Sequence, residues 1–302
     1  MPDPESLTSL KSEFLQAEID PLGAQLFALR DRHGNDLQWC GDPSVWKGRA
    51  PILFPIVGTL AANQYRLNGD TYRLPRHGFA RDRLFTLVEQ TPARALFRLR
   101  WDKDTFEAYP FRFELDLAFD LEGPALSIVA SVKNLETENA LPASFGFHPA
   151  LSWPLPYGQS RDGHAINFEM DEPAPIRRVD AEGLLLPAAF PTPVTGRKLA
   201  LRDELFRNDA IIFDRIASRS LRYGAQTGPQ LEVRFPDTPY LGIWTKPGAG
   251  FICIEPWHGH CDPEEFSGDF RTKPGIFLVP PGATKHCRMS IALCGPSADA
   301  PD

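Results

Sequence analysis

Two short stretches of the chain carry residues able to move protons. In Phe251-Ile252-Cys253-Ile254-Glu255-Pro256-Trp257, the two-residue period of an extended chain sets Phe251, Cys253 and Glu255 on one face and Ile252 and Ile254 on the other. Glu255 therefore ends an otherwise apolar run. Such a carboxylate reaches solvent at the sheet end, pairs with a cation or serves a site, because burying it unpaired is costly. In Ala143-Ser144-Phe145-Gly146-Phe147-His148-Pro149, the same alternation gathers Ser144, Gly146 and His148 opposite Phe145 and Phe147, so one face packs and the other is left roomy. A histidine beside small residues suits a ligand cleft, since imidazole can donate or accept a proton near neutral pH. A satisfied structural histidine is the alternative reading.

Two Pro- and Gly-punctuated loops, 48–58 and 74–81, carry Arg49, Arg76, His77 and Arg81 among apolar residues. Loops of this kind often line sites, although the same cations serve equally well on a solvated surface. His258, His260 and Cys261 offer His-x-His and a thiol, potential ligands for zinc or iron. Gly259 and the acidic residues that follow argue against a rigid strand there, and the expectation is that the chain has no metal site.

These residues need elements to hold them, and the sequence reads as strands from end to end. Short alternating or apolar runs are separated by Gly, Pro, Asn and Asp, while helical periodicity is nearly absent. Asn68-Gly69 marks a tight hairpin between 65–66 and 72–74. Residues 111–121 and 125–134 form a second pair around Glu122-Gly123-Pro124, and later strands are expected over 231–235, 241–245, 251–255, 276–279 and 283–293. One helical turn is expected over 104–109, capped by Asp104 and stopped by Pro110. The 30 prolines leave little room for other helix. Residues 171–207, rich in Pro and charge, read as a long surface excursion.

The expected fold is all-β, a large antiparallel β-sandwich in one domain over residues 1–302, with 297–302 a frayed tail. The 302 residues suffice for a large core, and a net charge of −7 argues against nucleic acid and leaves a small neutral ligand. No apolar run reaches membrane-spanning length, and the first residues lack the basic and apolar regions of a signal peptide, so a cytoplasmic location is expected. The 5 cysteines show no CxxC spacing, which argues against a disulfide framework. Oligomeric state is left open.

Taken in order, the stretches resemble the aldose 1-epimerase (galactose mutarotase) family, in its LacX-like bacterial branch. The motifs are Gly23-Ala24-Gln25-Leu26, Trp46-Lys47-Gly48-Arg49-Ala50-Pro51 with Leu53-Phe54-Pro55-Ile56-Val57-Gly58, and His77-Gly78-Phe79-Ala80-Arg81. They continue with Phe147-His148-Pro149-Ala150, Asn208-Asp209-Ala210-Ile211-Ile212-Phe213, Tyr240-Leu241-Gly242-Ile243-Trp244 and Ile254-Glu255-Pro256-Trp257. The resemblance implies a galactose mutarotase-like supersandwich that interconverts α and β anomers of a free hexose without a cofactor. It implies His148 as general acid and Glu255 as general base, on opposite sides of the sugar ring. It also implies that Arg49 and His77 hold hydroxyls or the ring oxygen, Asp209 accepts a hydroxyl hydrogen bond and Trp244 supplies an apolar wall. Thr59 stands where a cation was expected, which counts against a phosphate-bearing sugar. A hexose-6-phosphate mutarotase using Arg76, Arg81 and Lys246, and a non-catalytic sugar-binding protein, are the rival readings.

Overall fold

The computed structural model describes residues 7–295, so the tail expected at 297–302 lies outside the described residues. The larger of two main sheets has nine antiparallel strands. Their spatial order is Lys198–Ala200, His164–Phe168, Ser220–Ala225, Gln230–Arg234, Thr284–Cys294, Ala125–Asn134, Phe113–Glu122, Arg94–Arg100 and Thr86–Gln90. Its centre shows why the sequence folds this way. Leu115, Leu117, Phe119 and Leu121 lie directly across from Val132, Ala130, Ile128 and Leu126, and all eight are buried. The period-two apolar stripe thus becomes one continuous inner face. On the outer face Arg94, Arg98 and Arg100 each lie 2.7 Å from Asp120, Asp116 and Glu114. Partly exposed pairs of this kind contribute only about 0–1 kcal/mol each, so the apolar face supplies most of the stability.

The second sheet runs Ile211–Phe213, Tyr240–Trp244, Phe251–His258, Phe145–Phe147 and Ile52–Leu53, with Ala150–Ser152 also paired to Phe251–His258. Ile252, Ile254 and Ile243 enter the large core shared with the first sheet. The two sheets form the expected sandwich. Phe251 and Cys253 join a separate cluster on the far face of the second sheet.

Several boundaries differ from expectation. The strand expected over 251–255 continues to His258, because Pro256 still pairs in register with Leu241. The helical turn spans Lys103–Ala108 and is capped by Asp102, not Asp104. Asp102 Oδ1 accepts from the Thr105 N–H at 2.7 Å, and Thr105 Oγ1 accepts from the Asp102 N–H at 2.8 Å, a reciprocal cap that Asp104, inside the first turn, cannot form. Residues 171–207 are more than a surface excursion: Ile176 and Leu185 are buried, and the Leu185 N–H donates to the Asp262 carbonyl at 2.8 Å. The Asn68-Gly69 hairpin joins Gln64–Leu67 to Asp70–Arg73, with φ of 54° and 90° at the two turn residues, as a tight turn of this type demands.

Candidate active site

Strand register brings the two proton-moving residues together. Pairing onto Phe251–His258 begins at Phe145 opposite His258 and ends at Ser152 opposite Phe251. The register is the same on both sides of the gap at 148–149, where the Ile254 N–H donates to the Pro149 carbonyl at 3.3 Å. This sets His148 across from Glu255, and Gly242 flanks Glu255 on the other side. His148 Nε2 lies 3.2 Å from Glu255 Oε2, and both side chains are buried. They line a cavity of about 350 Å³, within the roughly 300–1,000 Å³ usual for small-molecule sites.

The walls come from several elements. Trp46 stacks on His148 with ring centroids 5.3 Å apart, Trp244 meets it edge-on at 6.1 Å and His77 at 5.7 Å. The imidazole plane is held by packing on three sides. Trp257 forms the floor, and its ring is so close to Gly146 and Gly242 that a Cβ at either would stand 2.7 Å or less from it. The face expected to be roomy at Gly146 is thus filled by indole.

His77 reaches the cavity through a tight backbone crossing. A Cβ on Gly78, whose φ is 72°, would stand 2.2 Å from the Phe54 carbonyl oxygen, so only glycine fits. The Gly58 N–H donates to His77 Nδ1 at 3.1 Å. The Arg76 Nε–H faces His77 Nε2 at 3.3 Å, so both ring nitrogens meet N–H donors, and a neutral imidazole can accept from only one of them. His77 and Asp209 both adopt left-handed backbone, with φ of 68° and 61°, a conformation that His and Asp tolerate better than most residues. Arg178 holds the Asp209 loop, donating to the carbonyls of Asp209, Ala210 and Leu205 at 2.9, 3.0 and 2.8 Å.

Of the six expected site residues, His148, Glu255, His77, Asp209 and Trp244 line the cavity, and Arg49 does not. The Arg49 guanidinium lies over the Phe27 ring at 3.8 Å and donates to the Phe27 carbonyl at 2.8 Å. Its backbone, not its charge, serves the site, accepting from Ala150 N–H at 2.8 Å beside His148. The cations at the cavity are Arg76 and Arg81. Trp46 and Trp257 were not singled out from the sequence. Period-two alternation from Glu255 does reach Trp257, whereas nothing in residue spacing marks Trp46.

The possible ligands His258, His260 and Cys261 do not converge. The His258 ring packs on Phe277 at 4.9 Å, His260 Nδ1 faces the Cys261 carbonyl at 2.7 Å, and of the three only Cys261 lines the cavity. Behind it the buried Lys273 ammonium lies 3.6 Å from Asp262 and donates to the His260 carbonyl, pinning the loop.

Burial governs the electrostatics. It pushes the His148 pKa down to about 3, aided by the charges of Arg76 and Arg81. It lifts Glu255 well above the usual carboxylate range; Asp209 adds to this, while Arg76 and the Trp257 indole N–H oppose it. Desolvation likewise keeps His77 neutral, with His148, Arg76 and Arg81 acting in the same direction. Burial thus disfavours the charged form of both members of the His148–Glu255 pair.

Comparison with known proteins gives a consistent picture. The family described as aldose 1-epimerase matches residues 6–274. The plasmid-borne protein LacX of Lactococcus lactis subsp. lactis is 34% identical over 294 residues, covering 94% of this chain and 98% of that protein. Among solved structures, a galactose mutarotase-like protein from Lactobacillus casei superposes with a TM-score of 0.88 at 27% identity, over 95% of this chain and 100% of that one. A galactose mutarotase related enzyme from Lactobacillus acidophilus gives 0.86 at 25% identity, over 98% and 100%.

Proposed function

Because the chain belongs to the aldose 1-epimerase family, we propose that it interconverts the α and β anomers of a free hexose such as glucose or galactose, by acid–base ring opening without a cofactor. The described residues act as one domain, with Glu255 as general base and His148 as general acid. The observation that carries this reading is the 3.2 Å approach of the two groups inside one buried cavity. The expectation that they stand on opposite sides of the ring gives way to adjacent placement. The C1 hydroxyl and the ring oxygen are both bonded to C1, so two neighbouring groups can serve both.

The protons balance within the pair. The Glu255 carboxylate takes the proton of the C1 hydroxyl while the His148 imidazolium gives one to the ring oxygen; the C1–O5 bond breaks and an aldehyde remains. Rotation about C1–C2 and reclosure by the reverse transfers yield the other anomer. The step needs the pair's single proton on His148 at the outset and leaves it on Glu255, and burial makes that charged starting arrangement the costly one. His77 contacts a sugar oxygen, Asp209 accepts from a hydroxyl, Trp244 covers an apolar face of the ring, and Arg76 takes the place expected of Arg49.

The test is polarimetry on freshly dissolved α-galactose and α-glucose. Glu255→Gln and His148→Asn should each lower the catalysed rate by about 10²–10⁴-fold while leaving the thermal unfolding transition in place. Near-wild-type rates in both folded variants would refute the assignment. The arginines at the cavity support a second reading, a hexose 6-phosphate as substrate, with Lys246 in an adjoining groove. Faster anomerisation of glucose 6-phosphate than of glucose would establish it.

A further inference from the structure

We propose that the acid–base pair also forms, with Cys253, a binding site for a thiophilic divalent cation such as Zn²⁺, whose occupancy blocks sugar turnover. The effect on rate rests on the function proposed above; the binding itself does not. His148, Cys253 and Glu255 are the one group of three potential ligands among the described residues whose ligand atoms all lie within 4.8 Å of one another, and all three are buried.

Register is again the cause. Cys253 and Glu255, two apart on Phe251–His258, face the same side, and His148 stands across from Glu255. Opposite Cys253 is Ala150, and the thiol is fully buried in a cluster with Ala150, Ala249 and Phe251 over which Trp46 and Trp244 pack. One imidazole, one thiolate and one carboxylate, with His148 and Glu255 facing the cavity, is a ligand set that zinc accepts readily. In a tetrahedral site with zinc–ligand bonds of about 2.0–2.3 Å, the ligand atoms lie about 3.3–3.8 Å apart. His148 and Glu255 already approach to 3.2 Å, so the sulfur need close by only about 1 Å. His148 Nδ1 is buried without a hydrogen-bond partner. The ring-opening chemistry makes no use of the Cys253 thiol. Coordination releases the thiol proton and the single proton of the pair to solvent, and no electron is transferred.

The experiment uses Co²⁺ as the probe on the full chain without sugar, reading the thiolate-to-cobalt charge-transfer absorbance. Inhibition of galactose mutarotation by Zn²⁺ is measured in parallel. Wild-type protein should show the band at one ion per chain, Cys253→Ser should lose it, and Cys40→Ser and Cys261→Ser should keep it. The same Cys253→Ser protein should retain its metal-free rate and need roughly tenfold or more Zn²⁺ for equal inhibition. A band that persists in Cys253→Ser, or that follows the exposed Cys40 or Cys261, would overturn the proposal, as would wild-type turnover indifferent to Zn²⁺. A Cys253-dependent band in a chain with no mutarotase activity would uphold the ion site and sink the catalytic reading.

Discussion

At the scale of the residue, side-chain direction outweighs residue type. Arg49 and Arg76 carry the same charge on adjoining loops, yet Arg49 spends its guanidinium on Phe27 while Arg76 lines the cavity and draws down the Glu255 pKa. The two should separate under substitution. Arg76→Ala should lower kcat/KM for galactose by about 10–100-fold, because a cation beside the reacting carboxylate is lost. Arg49→Ala should leave kcat within about twofold and instead cost about 1–2 kcal/mol of stability, through the lost stacking and hydrogen bond. Steady-state polarimetry and denaturant titration of both variants check the pair of outcomes. Equal loss of kcat/KM in the two would show that Arg49 reaches the sugar after all.

At the scale of the element, the site is a property of three strands in register. Phe251–His258 lies between Tyr240–Trp244 and the segment running from Phe145 to Ser152, and small residues at Gly146 and Gly242 let the Trp257 ring lie flat as a floor. A Cβ at Gly242 would stand 2.5 Å from that ring. Gly242→Ala should therefore push the indole toward the cavity, with about 1–3 kcal/mol of overpacking strain. The expected signature is a raised KM together with a lower Tm, followed by polarimetry and calorimetry. Unchanged KM with lowered Tm would mean that the ring yields away from the sugar.

At the scale of the whole molecule, buried histidines set the response to acid. Burial lowers the pKa of His77, His148, His164, His258 and His260. His164 is typical: its Nε2 accepts from the Leu155 N–H at 3.0 Å and loses that role when protonated. A histidine with a depressed native pKa contributes its full stability above the unfolded value of about 6.5 and loses it as pH falls through the native value. For His260, with a native pKa of about 4, the loss at pH 5 is on the order of 2 kcal/mol. Glu255 and Asp262, raised by burial, act in the opposite sense. Calorimetry should show Tm falling steadily from pH 7 to pH 5; a flat or rising Tm would show that these rings can ionise in place.

The strand-rich class, the hairpin at Asn68-Gly69, the inner faces of the long strands and the candidacy of His148 and Glu255 were legible in the sequence alone. Each rests on local physics, whether turn chemistry, the two-residue period of an extended chain or the cost of a carboxylate at the end of an apolar run. Which residues meet was decided only by tertiary structure. The register that sets His148 opposite Glu255, the departure of Arg49 toward Phe27 and the arrival of Trp46 and Trp257 depend on contacts between distant segments. Local periodicity assigns a side chain to a face of its own strand, but pairing between strands and packing between loops choose its neighbours.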